Sequence, residues 1–150
     1  MNSVTELLAT AEQLLSSWIQ SQETPGPNRL DVVVAVYDLL PAVQALQQSG
    51  WGYLAAITGL DLGPEAGQIE VLYHFCSGAA VVTLRVPIER DAAVVPSLCG
   101  AIPSAGVFER ELMEMFGVTV DGAPNTDRLF LPDEWPEGVY PLRKDFEPNP

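Results

Sequence analysis

Gln68-Ile-Glu-Val-Leu-Tyr-His-Phe-Cys76, then Ser77-Gly78, then Ala79-Ala-Val-Val-Thr-Leu-Arg-Val-Pro-Ile88, is a β-hairpin legible in the residues themselves. Both arms are rich in β-branched and aromatic side chains, which suit a pleated, half-buried surface. Ser77-Gly78 between them predicts a two-residue turn. Pro87 cannot donate to a ladder, so the second arm finishes there or lies at an edge.

Working upstream, Trp51 to Thr58 reads as a strand, and Pro41 suits the first turn of a helix running to Ser49, with Gly50 as its stop. Asp31 to Tyr37 reads as a buried strand and Thr24-Pro25-Gly26-Pro27-Asn28 as a loop. Ser3-x-x-Glu6 is a capping box ahead of an amphipathic helix, whose apolar face holds Val4, Leu7, Leu8, Ala11, Leu14, Leu15, Trp18 and Ile19.

Downstream, Asp91 to Ile102 is mixed, with Pro96 as a helix start. Ser104 is placed to cap a helix that puts Phe108, Leu112 and Met115 on one face and stops at Gly117. Val118 to Val120 is strand-like, and Asp121 to Asn125 is a turn by composition. The order α-β-α-β-β-β-α predicts an α+β domain: a largely antiparallel or mixed sheet, covered on one face by helices. The predicted division is a core at 1–122 and an extended, Pro-rich C-terminal tail at 123–150. Leu129, Phe130, Leu131, Trp135, Val139, Tyr140, Leu142 and Phe146 recur along that tail, which a free disordered segment would lack. Its first half is read as wrapping its own domain and its last dozen residues as reaching a partner.

Composition narrows the function. The chain has 150 residues, 47% of them hydrophobic, which suits one domain with a real core. Twenty acidic against seven basic residues give a formal charge of -13, with Lys144 the single lysine. Phosphate binding needs clustered Lys and Arg, so nucleic acid is excluded as a partner, as is docking on anionic lipid by charge. The apolar runs are strand-sized, far short of the ~20 residues of a membrane helix. The expected chain is therefore cytoplasmic, without direct membrane insertion and without a secretory signal.

Cys76, Cys99 and His74 are the chain's only cysteines and histidine. An iron–sulfur cluster takes four thiolates and a structural zinc four Cys or His ligands, so neither is expected here. The cysteines read as buried small hydrophobes, and His74 as packing within its strand rather than acting as a base. Glu109 and Glu111 point to different sides of their helix, and Glu111 and Glu114 share a face only at mild mutual repulsion. Arg110 and Glu114 are spaced to pair at i, i+4. A stand-alone hydrolase using Glu109, Glu111 or Glu114 would lack a nucleophile elbow, a phosphate loop and a dinucleotide fingerprint. An acidic adaptor fits the charge alone.

Glu109-Arg110-Glu111-x-x-x-Met115-Phe116-Gly117, Gly122-x-Pro124, Arg128-Leu-Phe-Leu-Pro132 and Pro141-Leu142-Arg143-Lys144-Asp145 together resemble the NuoC family. So do Leu54-Ala-Ala-Ile-Thr58-Gly59-Leu-Asp61, Glu70-Val71-Leu-Tyr73-His74 and Val95-Pro96-Ser97, in the same order. That family comprises peripheral-arm subunits of respiratory complex I, shared with membrane-bound [NiFe] hydrogenases and found also in photosynthetic-type complexes. The resemblance covers about Leu54 to Phe146. It departs at Gly122-Ala123-Pro124-Asn125, where many complex I members carry His and Asp, and Leu131 to Lys144 is similar to the hydrogenase-type version.

The resemblance implies a non-catalytic scaffold subunit of a complex I-type, ion-translocating NAD(P)H- or ferredoxin-dependent quinone oxidoreductase. The alternative is the equivalent accessory subunit of an energy-converting hydrogenase. It implies no catalytic, cofactor or metal residue on this chain, with iron–sulfur clusters on partner subunits. The partners implied are the quinone-site or hydrogenase-like large subunit and the iron–sulfur small subunit, which would hold the chain peripherally at the cytoplasmic face of a membrane. The implied subunit interface is Glu109, Arg110, Glu111, Phe116, Arg128, Trp135, Tyr140, Pro141, Leu142, Arg143, Lys144 and Asp145. Arg143 leads that set, because a planar guanidinium pairs bidentately with carboxylates.

Overall fold

The structure is a computed structural model that describes residues 2–148. Helix α1 (Val4–Leu15) opens with the expected capping box: Ser3 Oγ accepts from the Glu6 amide at 3.2 Å and the Glu6 carboxylate from the Ser3 amide at 2.8 Å. Strands β1 (Ser21–Gly26) and β2 (Arg29–Val33) form an antiparallel hairpin, followed by a 3-10 turn at Val36–Asp38 and helix α2 (Leu39–Gln48). Then come β3 (Tyr53–Asp61), β4 (Gln68–Ser77) and β5 (Ala80–Glu89), a short β6 (Val94–Pro96), helix α3 (Ala105–Phe116) and β7 (Thr119–Asp121). From Gly122 to Pro148 there is no helix or strand.

The main sheet has the order β1-β2-β5-β4-β3, and β6 and β7 make a separate pair. Tight connections join β3 to β4 and β4 to β5, and neighbours so joined run antiparallel. β2 runs parallel to β5, with Leu30 opposite Val82 and Val32 opposite Leu84. The fold is thus α+β with a mixed sheet. Along β4, buried Ile69, Val71, Tyr73 and Phe75 alternate with half-buried neighbours, the period of a strand with one face in the core. Pro87 lies beyond the last β2–β5 partner, Arg85, where a missing donor breaks no ladder with β2.

Six expectations are corrected. Helix α1 ends at Leu15, short of Trp18 and Ile19, and the expected strand from Trp51 to Thr58 runs instead from Tyr53 to Asp61. The turn of the β4–β5 hairpin is Gly78-Ala79, one residue later than predicted. The expected loop at Thr24–Asn28 is instead the end of edge strand β1 and a Pro27-Asn28 turn; β1 is exposed from Ser21 to Pro25 and carries no apolar alternation to betray it. The expected strand from Asp31 to Tyr37 starts earlier, at Arg29, and ends at Val33. Pro96 starts no helix: β-branched Val94 and Val95 pair in parallel with Thr119 and Val120, and α3 is the crossover that a parallel pair requires.

Contacts cluster into two units, residues 1–56 with 72–87, and residues 57–71 with 88–150. In the first, the Trp51 indole N–H donates to the Leu7 carbonyl at 2.8 Å, fixing α1 to the turn after α2. His74 Nδ1 lies 2.9 Å from Thr83 Oγ1, and burial, with the Arg29 charge beside it, holds its pKa below the ordinary histidine value. This is a packed strand histidine. The residues that carry the family resemblance in the C-terminal third belong to the second unit.

Candidate interaction site

The buried stripe of α3 is Ala105, Glu109, Leu112 and Phe116, one residue round from the expected Phe108, Leu112 and Met115 face. The stripe therefore carries a carboxylate into the core, and a buried charge must be bonded. Glu109, 2% exposed, accepts from the Leu98 amide at 2.6 Å, from Ser97 Oγ at 2.8 Å and from Cys99 Sγ at 3.3 Å. Burial pushes the Cys99 thiol up, and the Glu109 carboxylate adds to the rise. Glu109 thus secures the loop before α3 and is not presented at the surface. Ser104 stands at the N-cap position, but its hydroxyl caps nothing; the amides of Ala105 and Gly106 bond back to Ile102 and Pro103.

One turn further along α3, Arg110 and Glu114 hold the chain that follows the domain. Arg110 donates to the carbonyls of Asp127 and Arg128 at 2.9 and 2.8 Å. Glu114 accepts from the amides of Leu129, Phe130 and Leu131 at 3.0, 2.7 and 3.4 Å. Arg128 in turn donates to the carbonyls of Pro132 and Trp135 at 2.7 and 2.6 Å, and the Trp135 indole to Val139 at 2.9 Å. An extended segment has no ladder partners, so its polar backbone must find them elsewhere. Here side chains supply them. A concavity of about 380 Å³ is left between Arg110, Met113 and Glu114 of the helix and Arg128, Trp135 and Tyr140 of the tail.

The C-terminal end of α3 is closed by the same tail. Gly117 adopts φ +69 and bonds to the Met113 carbonyl at 3.0 Å, the left-handed stop expected from sequence. The Leu142 amide takes the Met115 carbonyl at 3.1 Å, and Arg143 Nε takes the Phe116 carbonyl at 2.6 Å. A cation there also suits the helix dipole. The Arg143 guanidinium lies 5.0 Å from the centre of the Tyr140 ring. That ring covers Gly117 so closely that a Cβ would overlap it. Gly59 of β3 meets the Phe116 ring in the same way, with 2.7 Å between an added Cβ and the ring edge.

A second fastening lies at the end of β3. Arg90, 6% exposed, grips Asp61 bidentately at 2.9 and 3.0 Å and reaches Asp145 at 2.6 Å. Asp61 also accepts from the Gly63 amide at 3.0 Å and the Lys144 amide at 2.9 Å. Burial alone would raise the Asp61 pKa, but the Arg90 bond and the two amides outweigh it and bring it from 3.8 to about 2. Asp61, aided by Asp145, keeps Arg90 charged.

Of the residues assigned to the interface from sequence, Glu109 and Phe116 are buried, and Arg110, Arg128, Arg143 and Asp145 each bond within the chain. Glu111, Trp135, Tyr140 and Pro141 are half-buried, while Leu142 and Lys144 are exposed. The fastening roles of Asp61, Arg90 and Glu114 were not assigned from sequence. For Arg90 and Asp61 the one signal was scarcity: in a chain with seven basic residues, an arginine inside a buried stretch needs a named partner; Glu114, which bonds backbone amides, had none. Among the described residues no three His, Cys, Asp or Glu side chains are grouped to hold a metal, and no helix is long and apolar enough to cross a membrane.

Known proteins are similar to this chain in sequence and in fold. The C subunit of NADH-quinone oxidoreductase from Moorella thermoacetica is 37% identical over 118 residues, 77% of this chain and 78% of that one. Hydrogenase-4 component G of Escherichia coli is 30% identical over 142 residues, 93% of this chain but 26% of its own length, so the chain spans about a quarter of that relative. The fold matches a chain of the membrane-bound sulfane sulfur reductase, an archaeal respiratory membrane complex, with a TM-score of 0.78 at 24% identity over 93% of this chain and 85% of that one. The family described as respiratory-chain NADH dehydrogenase, 30 Kd subunit, matches residues 32–150, from β2 through α3 and the tail, and the chain belongs to it.

Proposed function

We propose that this chain is a non-catalytic scaffold subunit in the peripheral arm of a complex I-type, ion-translocating quinone oxidoreductase fed by NAD(P)H or ferredoxin. It docks on the large subunit that forms the quinone site and neighbours the iron–sulfur small subunit. The observation that carries this reading is the way the same module recurs. It makes up most of a separate oxidoreductase subunit in one relative and about a quarter of a hydrogenase component in another. A module that is separate in one setting and joined to a longer chain in another is suited to packing against that longer chain's remainder.

The geometry supports a scaffold. Arg110, Glu114, Arg128 and Arg143 are directed at main-chain groups, which fixes a long irregular segment as a shaped surface. Cofactors belong to the partner subunits in this reading, and those partners hold the chain at the cytoplasmic face of the membrane. The surface offered to them is built from Trp135, Tyr140, Leu142 and Lys144, with Arg143 against the Tyr140 ring and Arg128 bonded to the Trp135 carbonyl. The extent of the Hydrogenase-4 component G match, 93% of this chain, favours a second reading as the equivalent subunit of an energy-converting [NiFe] hydrogenase.

Affinity purification of the tagged chain from its native membrane, with every bound subunit identified by mass spectrometry, tests both. A quinone-reducing complex without nickel supports the first reading. Nickel with hydrogen evolution and no quinone reduction supports the second, and recovery of the chain alone refutes the scaffold role.

A further inference from the structure

Residues 127–132 form a bend whose backbone is held on both polarities. The Asp127 amide donates to Asn125 Oδ1 at 2.8 Å, and the carbonyls of Asp127 and Arg128 accept from Arg110. The next three amides are taken by Glu114, and the Pro132 carbonyl by Arg128. At the centre of this bend stands Phe130, 64% exposed. A single exposed apolar side chain is ordinary on a protein surface. One whose flanking backbone is fixed by three charged side chains is different, because little conformational entropy is left to lose when its ring is buried.

The charges around it give the partner's chemistry. Arg110 and Arg128 engage their guanidinium groups with carbonyls of this segment, whereas Asp127, in the bend, and Asp133, Glu134 and Glu137, just after it, are exposed. The stretch therefore carries one exposed apolar ring with exposed acidic side chains before and after it along the chain. We propose that Phe130 is the apolar anchor of the docking surface, seated in an apolar socket of the large partner subunit whose rim carries Lys and Arg. This rests on the scaffold reading above and names the residue and surface chemistry through which it acts.

The test is competitive assembly in the native host. Wild-type chain and a differently tagged variant are expressed together, the complex is purified through another subunit, and the ratio of the two tags is read. Phe130→Ala is expected at less than about one-tenth of wild type, the loss typical of truncating a central anchor. Phe130→Leu, which keeps an apolar body, is expected to recover most of the incorporation. Both variants should melt within about 2 °C of wild type when isolated, since the ring is largely in solvent. The double change Asp133→Lys, Glu134→Lys is expected to slow association of the purified chain with a complex isolated from a strain lacking it. That slowing should shrink as salt is raised.

Equal incorporation of Phe130→Ala and wild type overturns the anchor while leaving the scaffold reading intact. A wild-type chain that enters no complex overturns both. A purified chain that sediments as a dimer, and as a monomer after Phe130→Ala, assigns the socket to a second copy and also overturns the proposal.

Discussion

Arg110 and Glu114, neighbours on one face of α3, grip opposite polarities of the same stretch of tail. The cation takes two carbonyls and the anion takes the three amides that follow. Pairing with each other at i, i+4 would have contributed only a few tenths of a kcal/mol. Bonding to the tail does more, because charge-assisted bonds to an otherwise unpaired backbone are the stronger kind. Glu114→Ala is therefore expected to lower stability by about 2 kcal/mol in chemical denaturation, given that bonds to a charged group contribute ~1.5–3 kcal/mol and this one is half-buried. Hydrogen exchange should localise the effect, with the amides of Leu129, Phe130 and Leu131 losing protection while those of β4 keep theirs.

Asp61 predicts an acid limb to the stability curve. Its pKa is depressed in the folded state, from 3.8 to about 2. A carboxylate of that kind contributes stability that is fully present above the unfolded value and is lost as pH falls through the folded one. The difference corresponds to about 2 kcal/mol. Wild-type protein should lose that increment between about pH 4 and pH 2. Asp61→Asn should flatten that part of the profile, and at neutral pH it should cost ~3–5 kcal/mol, because it leaves the buried Arg90 facing only Asp145. An acid limb unchanged by Asp61→Asn would sink this assignment.

Gly117 joins a backbone requirement to a packing one. Its φ of +69 is costly for any residue with a Cβ, and the Tyr140 ring occupies the space a Cβ would need. Gly117→Ala is expected to destabilise by more than the ~1–2 kcal/mol of the left-handed conformation alone. Combining it with Tyr140→Ala should relieve the steric part, so the double variant should be less destabilised than the sum of the singles in chemical denaturation.

The fold was legible where a local pattern carried the information. The capping box of α1, the β4–β5 hairpin and the Gly117 stop each depend on residues close together in sequence, and each formed as expected apart from the one-residue shift of the hairpin turn. β1 and β6 were not legible. The first is a polar edge strand with Pro25 inside it, and the second is a three-residue strand defined only by its distant partner β7. The same limit applied to the site. Sequence marked the α3 motif and the tail as belonging together, but Glu114 meets Leu129 and Asp61 meets Lys144 only through tertiary folding. Whether an arginine faces a partner or a carbonyl of its own chain cannot be read from spacing.

Arg143 is the residue for which those two roles have to be separated. Its Nε bonds the Phe116 carbonyl and its guanidinium covers Tyr140, so it closes the last turn of α3. Arg143→Ala should therefore lower the stability of the isolated chain by about 1–2 kcal/mol, from a lost cap and a lost favourable charge at the helix end. Arg143→Lys keeps the charge but not the Nε geometry and should lie between. If the guanidinium also meets a carboxylate of the large subunit, assembly should suffer by more than the fold does, on the order of 2–5 kcal/mol. Thermal melts of the isolated variants beside their incorporation into the native complex measure the two losses separately. Equal losses in both would make Arg143 a cap for α3 and nothing more.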